Sequence, residues 1–402
     1  MNESTPYHSH DLALFDGGPF ARSLRWARLR GEELGELCWL RTVFLVGVTW
    51  LPLLLLSALD GQALGDLSGM PFLLDASAHV RFLLALPLLI VAEIGVNARI
   101  REALKQFDAR QIVPPPSLPR FREAITAAIR SRDSWLAEAI MMVWVLSLAI
   151  VHYSGLYFAL NEAPVGLSSW HELAVKDGGG RSSAGMWFNF ISMPIFQFVT
   201  LRWYYRIMIW AVLLWRVSRL ELHLVPTHPD RVAGLGFLSQ TAYAYLPLAL
   251  AHGAMLSAII ANRILYGDEV LTMFWIEITL MVMFVFCLVL LPLLLFAPLL
   301  TAAKLKGSAE YGALAGSVVR AFDERWLRDR TREKSNLLDV GEASSMTDLD
   351  TTLGIIREMS YVPIARETIL WIAVAVLAPM LPLLLTVMPA EELLKKLLGM
   401  LL

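Results

Sequence analysis

The sequence has few cysteines and few charged residues, and each shortage excludes a class of protein. Only Cys38 and Cys287 occur among 402 residues, so the chain cannot form a disulfide framework or a four-thiolate metal site. Charged residues make up 17% of the chain, against about 25% in a typical soluble domain, and hydrophobic residues reach 56%. This composition argues against a soluble enzyme, a disordered scaffold or a nucleic-acid binder, and it indicates a polytopic membrane protein.

Long apolar runs define the predicted fold. A run of about 18 or more apolar residues can cross the ~30 Å hydrocarbon core of a bilayer as a helix. The chain has seven such runs, at 42–59, 80–98, 135–160, 187–215, 243–266, 270–303 and 367–389. We therefore predict an all-α polytopic membrane helix bundle with about seven transmembrane helices. The sixth run is too long for one simple crossing, and we expect it to tilt, to kink at Pro292 or Pro298, or to project from the bilayer.

The placement of arginine predicts the orientation of the bundle. The connection 60–79 contains three Asp and no Lys or Arg, whereas the segment before the first span and the connection after the second are rich in Arg. Later connections continue this alternation, which places the N-terminus in the cytoplasm and the C-terminus outside. Around the bundle at 42–303 we predict a cytoplasmic amphipathic segment over 1–41, a cytoplasmic helical segment and linker over 304–366, and an interfacial C-terminal helix over 390–402.

Two features of the segment 304–366 can be predicted in more detail. Apolar residues recur at helical spacing and indicate a helix with one packing face; they are Tyr311, Leu314, Val318, Phe322 and Trp326. The stretch 333–348 is rich in Ser, Gly and acidic residues, which is typical of a linker.

Proline is frequent inside the predicted spans. Pro52, Pro87, Pro292 and Pro382 lie well inside their spans, and Pro247 lies near a cytoplasmic end. Each proline removes a backbone donor, so we expect the helix to bend there. Proline kinks are common in membrane helices, and they also occur where broken helices expose carbonyl groups to a transport cavity. The sequence leaves both interpretations open.

Charged residues inside the spans are the first candidates for function, because each costs roughly 2.5–3.5 kcal/mol near the bilayer centre. The helical rise places Glu93 about 20 Å from the outer start of its span and Arg202 about 22 Å from the start of its own. We therefore predict that Glu93 pairs with Arg202 or Arg206. Such a pair could line a transport path, or it could be a buried tie between two helices.

Further ionisable residues are predicted at other depths. His152, Arg263 and Glu277 are expected near the outer face, where they could form a second group. His252 is expected nearer to the middle of the membrane. A single intramembrane His is more often a hydrogen-bonded packing residue than a proton relay or a metal ligand.

The stretch 223–237 is the most distinctive segment outside the spans. Its prolines end the preceding helix, Asp230 can cap the chain that follows, and Gly234 and Gly236 allow a tight turn. His223, His228 and Asp230 are chemically able to hold a metal, but their spacing matches no known metal motif. We interpret this stretch mainly as a structural elbow at the cytoplasmic mouth of the fourth and fifth spans, with ligand binding as the alternative.

Three segments together carry a resemblance to a known family. They are THPDRVAGLGFL at 227–238, EYGALAGSVVRAFDERW at 310–326 and LAPMLPLLLTVMPAEELLKKL at 377–397. They resemble a family of uncharacterised bacterial multi-pass inner-membrane proteins, over most of the chain from the second span onward. The resemblance implies a location in the bacterial inner membrane, and it assigns no activity, cofactor or residue role.

Two functional hypotheses follow, with a third that is weaker. The first is a channel or transporter for an ion or small solute, supported by the kinked spans and intramembrane charges. The alternative is an assembly, sensing or interaction protein without transport, supported by the arginine-rich cytoplasmic helices. A membrane enzyme is the weakest, because only His223, His228 and Asp230 could form a catalytic cluster. No catalytic residue and no cofactor is predicted. The expected partners are the lipid bilayer and its anionic head groups; the sequence allows a homo-oligomer and predicts no nucleic acid.

Overall fold

The chain folds as an all-α bundle in which, among the residues that the structure describes, seven helices are long and apolar enough to cross a membrane. The computed structural model describes residues 34–64, 69–154, 168–173, 180–267, 269–324 and 340–386. This confirms the predicted fold class and number of spans. The predicted C-terminal helix at 390–402, most of the N-terminal segment 1–41 and the end of the third predicted span lie outside the described residues.

The structure describes eleven helices. In chain order they are α1 (Leu34–Leu59), α2 (Ala76–Ala109), α3 (Leu118–Arg132), α4 (Trp135–Tyr153), α5 (Ser183–Ser218), α6 (Phe237–Tyr243), α7 (Leu246–Gly267), α8 (Trp275–Leu294), α9 (Ala297–Asp323), α10 (Val340–Glu358) and α11 (Arg366–Leu377). A 3₁₀ turn (Leu271–Phe274) precedes α8, and a 3₁₀ helix (Ala378–Thr386) continues α11. Helices α6 and α7 together make the fifth span, and α3, α9 and α10 are not spans.

Two small sheets lie at one end of the bundle. Strand β1 (Gly69–Met70) pairs in parallel with β2 (Ser168–Ser169), and β3 (Glu172–Leu173) pairs antiparallel with β4 (Gly180–Arg181). We call residues 69–75, 168–173 and 180–182 the cap, and residues 223–236 at the other end the elbow. The two ends are called the cap side and the elbow side below.

Several helices extend beyond the apolar runs. Helix α2 continues to Ala109 because Ile100, Leu104 and Phe107 remain buried at helical spacing after the apolar run ends. Helix α5 begins at Ser183 because the Ser182 hydroxyl caps it, accepting a hydrogen bond from the Gly185 backbone N–H at 2.9 Å. The predicted sixth run divides between Pro292 and Pro298: α8 ends at Leu294 and α9 begins at Ala297.

The segment 304–366 differs from its prediction in two ways. Helix α10 begins at Val340, so the linker predicted over 333–348 is helical from 340 onward; packing of α9 against α10 outweighs the weak helix propensity of its Ser and Asp residues. The predicted packing face on α9 is covered only in part, because Tyr311, Val318 and Phe322 are half-buried whereas Leu314 is 50% exposed. Trp326 lies outside the described residues.

The fifth span, made by α6 and α7, is the most buried of the seven described spans, with 61% of its most apolar stretch buried. It crosses α11 at Gly253, where an added Cβ would lie 2.1 Å from the backbone oxygen of Val376. Only glycine allows the two backbones to approach this closely. The Ser257 hydroxyl donates to the Pro379 carbonyl at 2.7 Å and extends the same contact.

Prolines in α2 and α5 produce π-helical turns. The π segments Val80–Ala85 and Phe188–Ser192 directly precede Pro87 and Pro194, whose missing N–H groups interrupt the regular hydrogen-bond ladder. The two segments face each other, and the Phe82 and Phe188 ring centroids are 6.1 Å apart.

Candidate functional site

The predicted intramembrane ion pair is present. An Arg206 Nη atom on α5 donates to a Glu93 carboxylate oxygen on α2 at 2.8 Å. The Arg206 side chain is 4% exposed and that of Glu93 is 21% exposed. This confirms the contact predicted from helical depth and identifies Arg206, rather than Arg202, as the partner of Glu93.

Arg202 has a different partner, which the sequence analysis missed. Its Nε atom lies 3.8 Å from a carboxylate oxygen of Glu138 on α4, and both side chains are nearly buried. Glu138 lies in the first turn of α4, where an acidic residue ordinarily serves only to complement the helix dipole. Two acids and two bases from α2, α4 and α5 therefore balance one another at one depth.

His252, predicted nearer to the middle of the membrane, is also engaged. His252 Nε2 lies 2.6 Å from the Tyr204 hydroxyl and its Nδ1 lies 2.8 Å from the Leu248 carbonyl oxygen. The arrangement agrees with a hydrogen-bonded packing histidine.

The group predicted near the outer face forms only in part. Arg263 pairs with Glu269 at 2.8 Å and lies 3.8 Å from Glu277. The His152 carbonyl oxygen accepts a hydrogen bond from Arg181 of β4. The Arg263–Glu277 part of the predicted group is therefore present, and the association of His152 with it stays a prediction.

The elbow is held in an unusual backbone conformation by one carboxylate. Asp230 accepts hydrogen bonds from the backbone N–H groups of Val232 (3.0 Å), Gly234 (3.1 Å) and Gly236 (2.9 Å). Arg231, Ala233 and Gly234 have φ values of 57°, 54° and 95°. Left-handed conformations of residues other than glycine are uncommon and persist only where the surroundings fix them.

The charge of Asp230 stabilises this conformation. Burial, the largest influence, raises the pKa of the Asp230 carboxyl, but the three N–H donors and nearby His228 outweigh it and lower the pKa below its usual value. An ionised carboxylate is the form that accepts several N–H bonds best. The residues that were predicted to bend the chain thus do so. Gly236 leaves room for the Asp230 carboxylate, because an added Cβ would lie 3.0 Å from its oxygen.

The predicted metal-binding residues do not assemble. His228 Nδ1 lies 2.8 Å from Asp230, but the carboxylate is already occupied by backbone donors. The backbone N–H of His223 donates to the Ile112 carbonyl, which ties this part of the elbow to the end of α2. Among the residues that the structure describes, no three His, Cys, Asp or Glu side chains form a metal-binding group.

A cavity of about 970 Å³ lies beside the elbow. One wall is the elbow and α6, and the other is the segment 358–366 that joins α10 to α11. Its polar lining includes Arg231, Gln240, Tyr243, Glu358, Ser360 and Arg366. The volume is at the upper end of the range of small-molecule sites, about 300–1,000 Å³. We call it the elbow cavity.

Specific bonds join the two walls of the elbow cavity. Arg231 pairs with Glu358 at 3.0 Å, and the Ser360 backbone N–H donates to the Arg231 carbonyl at 2.8 Å. The Ser239 hydroxyl accepts from the Ala365 N–H at 3.1 Å. The cavity is therefore a formed space between α6 and the start of the last span, and not a gap between unconnected loops.

The cap on the opposite side contains a second buried polar cluster, which the sequence analysis did not identify. Asp75 accepts from Asn262 of α7 at 2.7 Å and from the indole N–H of the fully buried Trp170 at 2.9 Å. Although burial, the largest influence, raises the pKa of the Asp75 carboxyl, its hydrogen bonds lower it overall. The cluster fastens the cap to α2 and α7.

His171 stacks on Trp170 within the cap, with ring centroids 3.8 Å apart. Burial lowers the pKa of His171 to about 4; nearby Arg81 acts in the same direction, and Asp75 opposes it. Gly185 packs so closely that an added Cβ would lie within 2.3 Å of the His171 carbonyl oxygen. The His171 side chain is thus neutral and lies in a tightly packed site.

Comparison of the chain with known protein families, with curated proteins and with solved structures finds no match.

Proposed function

We propose that the protein is a bacterial inner-membrane protein that binds a small anionic solute in the elbow cavity and acts as a sensing or interaction protein, without moving the solute across the membrane. The main support for this proposal is the elbow cavity. It has the volume of a ligand site, it is rich in hydrogen-bonding groups, and it lies between the bundle and the segment that leads to the cytoplasmic helices.

The charges around the elbow cavity favour an anion. Of the two acids in its lining, Asp230 is engaged by backbone N–H groups, and Glu358 is paired with Arg231. Arg366 contributes a further positive charge at the first turn of α11, where the helix dipole already attracts anions. Arg99 lies beside the cavity, 3.3 Å from the side-chain oxygen of Gln240.

The intramembrane residues favour binding over transport. A transport path needs ionisable groups that face water or a passing ion. Glu93, Glu138, Arg202 and Arg206 instead face one another in close pairs, and none of them lines the elbow cavity. In this arrangement they act as ties between α2, α4 and α5.

Ligand binding in the elbow cavity would act on a partner protein through the segment 358–366. A ligand that bridges the elbow and the segment 358–366 would strengthen contacts that already include the Arg231–Glu358 pair. That segment continues into α10, which packs on α9. Because Leu314 on the apolar stripe of α9 is 50% exposed, a change at the cavity would alter how this part of the stripe is presented to another protein.

Binding and flux measurements together test the proposal. Purified protein is titrated with inorganic phosphate, sulfate and a set of mononucleotides while the melting temperature and calorimetric binding are recorded. We expect saturable binding of at least one anion, weakened by Arg366→Gln and by Gln240→Leu but not by the control Arg320→Gln on the exposed face of α9. Reconstituted liposomes should show no selective flux of that anion.

Two results would overturn the proposal. One is the absence of saturable binding for every anion tested. The other is selective flux of an anion through the reconstituted protein that Glu93→Gln abolishes. Such flux would mean that the intramembrane charges take part in transport.

A further inference from the structure

Helix α5 presents a ridge between two grooves on the elbow side of the bundle. The larger groove, between α5 and α8, has a volume of about 410 Å³ and is lined by apolar residues that include Ala211, Phe284 and Leu291. The smaller one, between α3 and α5, has a volume of about 100 Å³ and is lined by Ala127 and Val212 among others. Met208 lines both grooves and is 52% exposed, so it forms the ridge.

The grooves run along the helix towards a positively charged end. In an α-helix, residues separated by three, four, seven or eleven positions lie on one face. Residues 204, 208 and 211 line the larger groove, so the same face continues to Trp215 and Arg219. Arg216 itself lines the smaller groove.

The aromatic and basic residues at this end are exposed together. Trp215 is 47% exposed, and the guanidinium of Arg219 lies 5.7 Å from its ring centroid. Arg216 and Arg219 are both exposed, and neither forms a salt bridge with another residue in the described part of the chain. Tryptophan and arginine in this arrangement are typical of the level where lipid head groups begin.

We infer that this surface binds one anionic phospholipid, with one acyl chain in the larger groove beside Met208 and the phosphate between Arg216 and Arg219. The larger groove gives that chain an apolar channel of about 410 Å³, whereas the smaller groove, at about 100 Å³, is too small for a whole chain. Two exposed arginines, three positions apart on one helix, match a single phosphodiester. Apolar grooves this long would add nothing to the binding of a free inorganic anion.

The depth of the residues fits this occupant. From Ala211 to Arg219 the helix rises about 12 Å, and from Tyr204 to Arg219 about 22 Å. The grooves therefore extend about one leaflet's depth from the basic residues, since half of the ~30 Å hydrocarbon core is ~15 Å. This site is separate from the elbow cavity and does not depend on the function proposed for it.

Native mass spectrometry tests this inference. Purified full-length protein is extracted from nanodiscs of phosphatidylcholine that contain a series of phosphatidylglycerol fractions, and the retained lipids are counted. We expect one phosphatidylglycerol to be retained in preference to phosphatidylcholine. The double variant Arg216→Gln/Arg219→Gln should lose roughly thirtyfold in preference, from the contribution that each basic residue makes at an anionic surface.

A second variant and a control separate the grooves from general charge effects. Ala211→Phe fills the larger groove and should weaken retention of the lipid while leaving both arginines in place. Arg320→Gln removes one positive charge from α9 and should leave retention unchanged. Melting temperatures of all variants show that they remain folded.

Three results would overturn the inference. The first is equal retention of the two lipids by the parent protein. The second is an equal loss of preference in Arg320→Gln and in the double variant, which would indicate only a general attraction to anionic lipid. The third is displacement of the bound lipid by millimolar glycerophosphate, because a free head group would then bind without the grooves.

Discussion

Removal of the Glu93 carboxylate should destabilise the bundle more than any other single charge change described above. Glu93→Gln leaves the Arg206 guanidinium, 4% exposed, without its 2.8 Å partner. Breaking a buried ion pair from one side typically costs 3–5 kcal/mol. Because Glu138 stays one helical turn away beside Arg202, we expect the lower end of that range, about 3 kcal/mol. The folded-to-unfolded ratio would then fall by about two orders of magnitude.

Equilibrium unfolding in mixed micelles measures this effect. The parent protein is compared with Glu93→Gln, Arg206→Met and the double variant, which form a double-mutant cycle. The double variant should recover much of the stability that each single variant loses, because it leaves no unpaired charge. Glu269→Gln serves as the control: it breaks a pair of equal length, 2.8 Å, whose Arg263 side chain is 48% exposed, and it should cost at most about 1 kcal/mol.

The reasoning is refuted if Glu93→Gln stays within about 0.5 kcal/mol of the parent, the range of ordinary surface changes. It is also refuted if the two single losses simply add in the double variant. Either result would mean that Arg206 finds water or another partner when Glu93 is neutral, and that the four charges are not a closed set.

Three further predictions concern the other contacts. Gly253→Ala should lower the free energy of unfolding by about 1–3 kcal/mol in thermal unfolding, because its Cβ would lie 2.1 Å from the Val376 backbone oxygen. The control is Gly312→Ala, which has open space around it and should be neutral or stabilising by up to about 1 kcal/mol. Asp230→Asn should lower the free energy of unfolding by about 1–3 kcal/mol at pH 7, because it replaces the charged acceptor of the backbone N–H bonds. The difference from the parent should vanish at acidic pH. A carboxyl of lowered pKa contributes stability that is lost as pH falls through its folded pKa. The melting temperature should also fall as the pH is lowered from 6.5 to about 4, because His171 stays neutral in the folded state while it takes up a proton in the unfolded chain. His171→Phe should flatten this part of the melting-temperature profile. A profile that the variant leaves unchanged would contradict the assignment to His171.

The sequence predicted what depends on local composition and depth. Apolar runs located the seven spans, because crossing a membrane requires a fixed length of apolar helix. Helical rise was enough to bring Glu93 and Arg206 together, since both helices run through the same layer. The elbow was recognisable from its Pro, Asp and Gly residues, because each has a specific effect on the backbone.

The remaining contacts depend on how the helices are arranged around one another, which no local pattern specifies. Glu138 pairs with Arg202 only because α4 packs against α5. Asp75 meets Trp170 across almost a hundred residues of sequence, and Trp170 lies in a connection with no pattern of its own. The elbow cavity likewise needs the segment 358–366 as its second wall. The exposure of Leu314 on α9 shows that helical periodicity reveals a face but not how much of it is covered.

The length of α2 has a consequence for any anion that reaches the elbow cavity. The helix is 34 residues long, about 51 Å, and so exceeds the ~30 Å hydrocarbon core by about 20 Å. Its extension carries Arg99, next to the cavity, and Arg110, which holds the elbow through the Gly234 carbonyl at 3.3 Å. Arg99 lies about 35 Å along this helix from Ala76, so a crossing that starts at Ala76 places it about 5 Å beyond the hydrocarbon core. That distance is within a Debye length, about 8 Å at physiological ionic strength. An anionic leaflet at about −30 mV lowers the local concentration of a monovalent anion roughly threefold, so the lipid composition around the protein would set the ligand concentration at which the cavity fills.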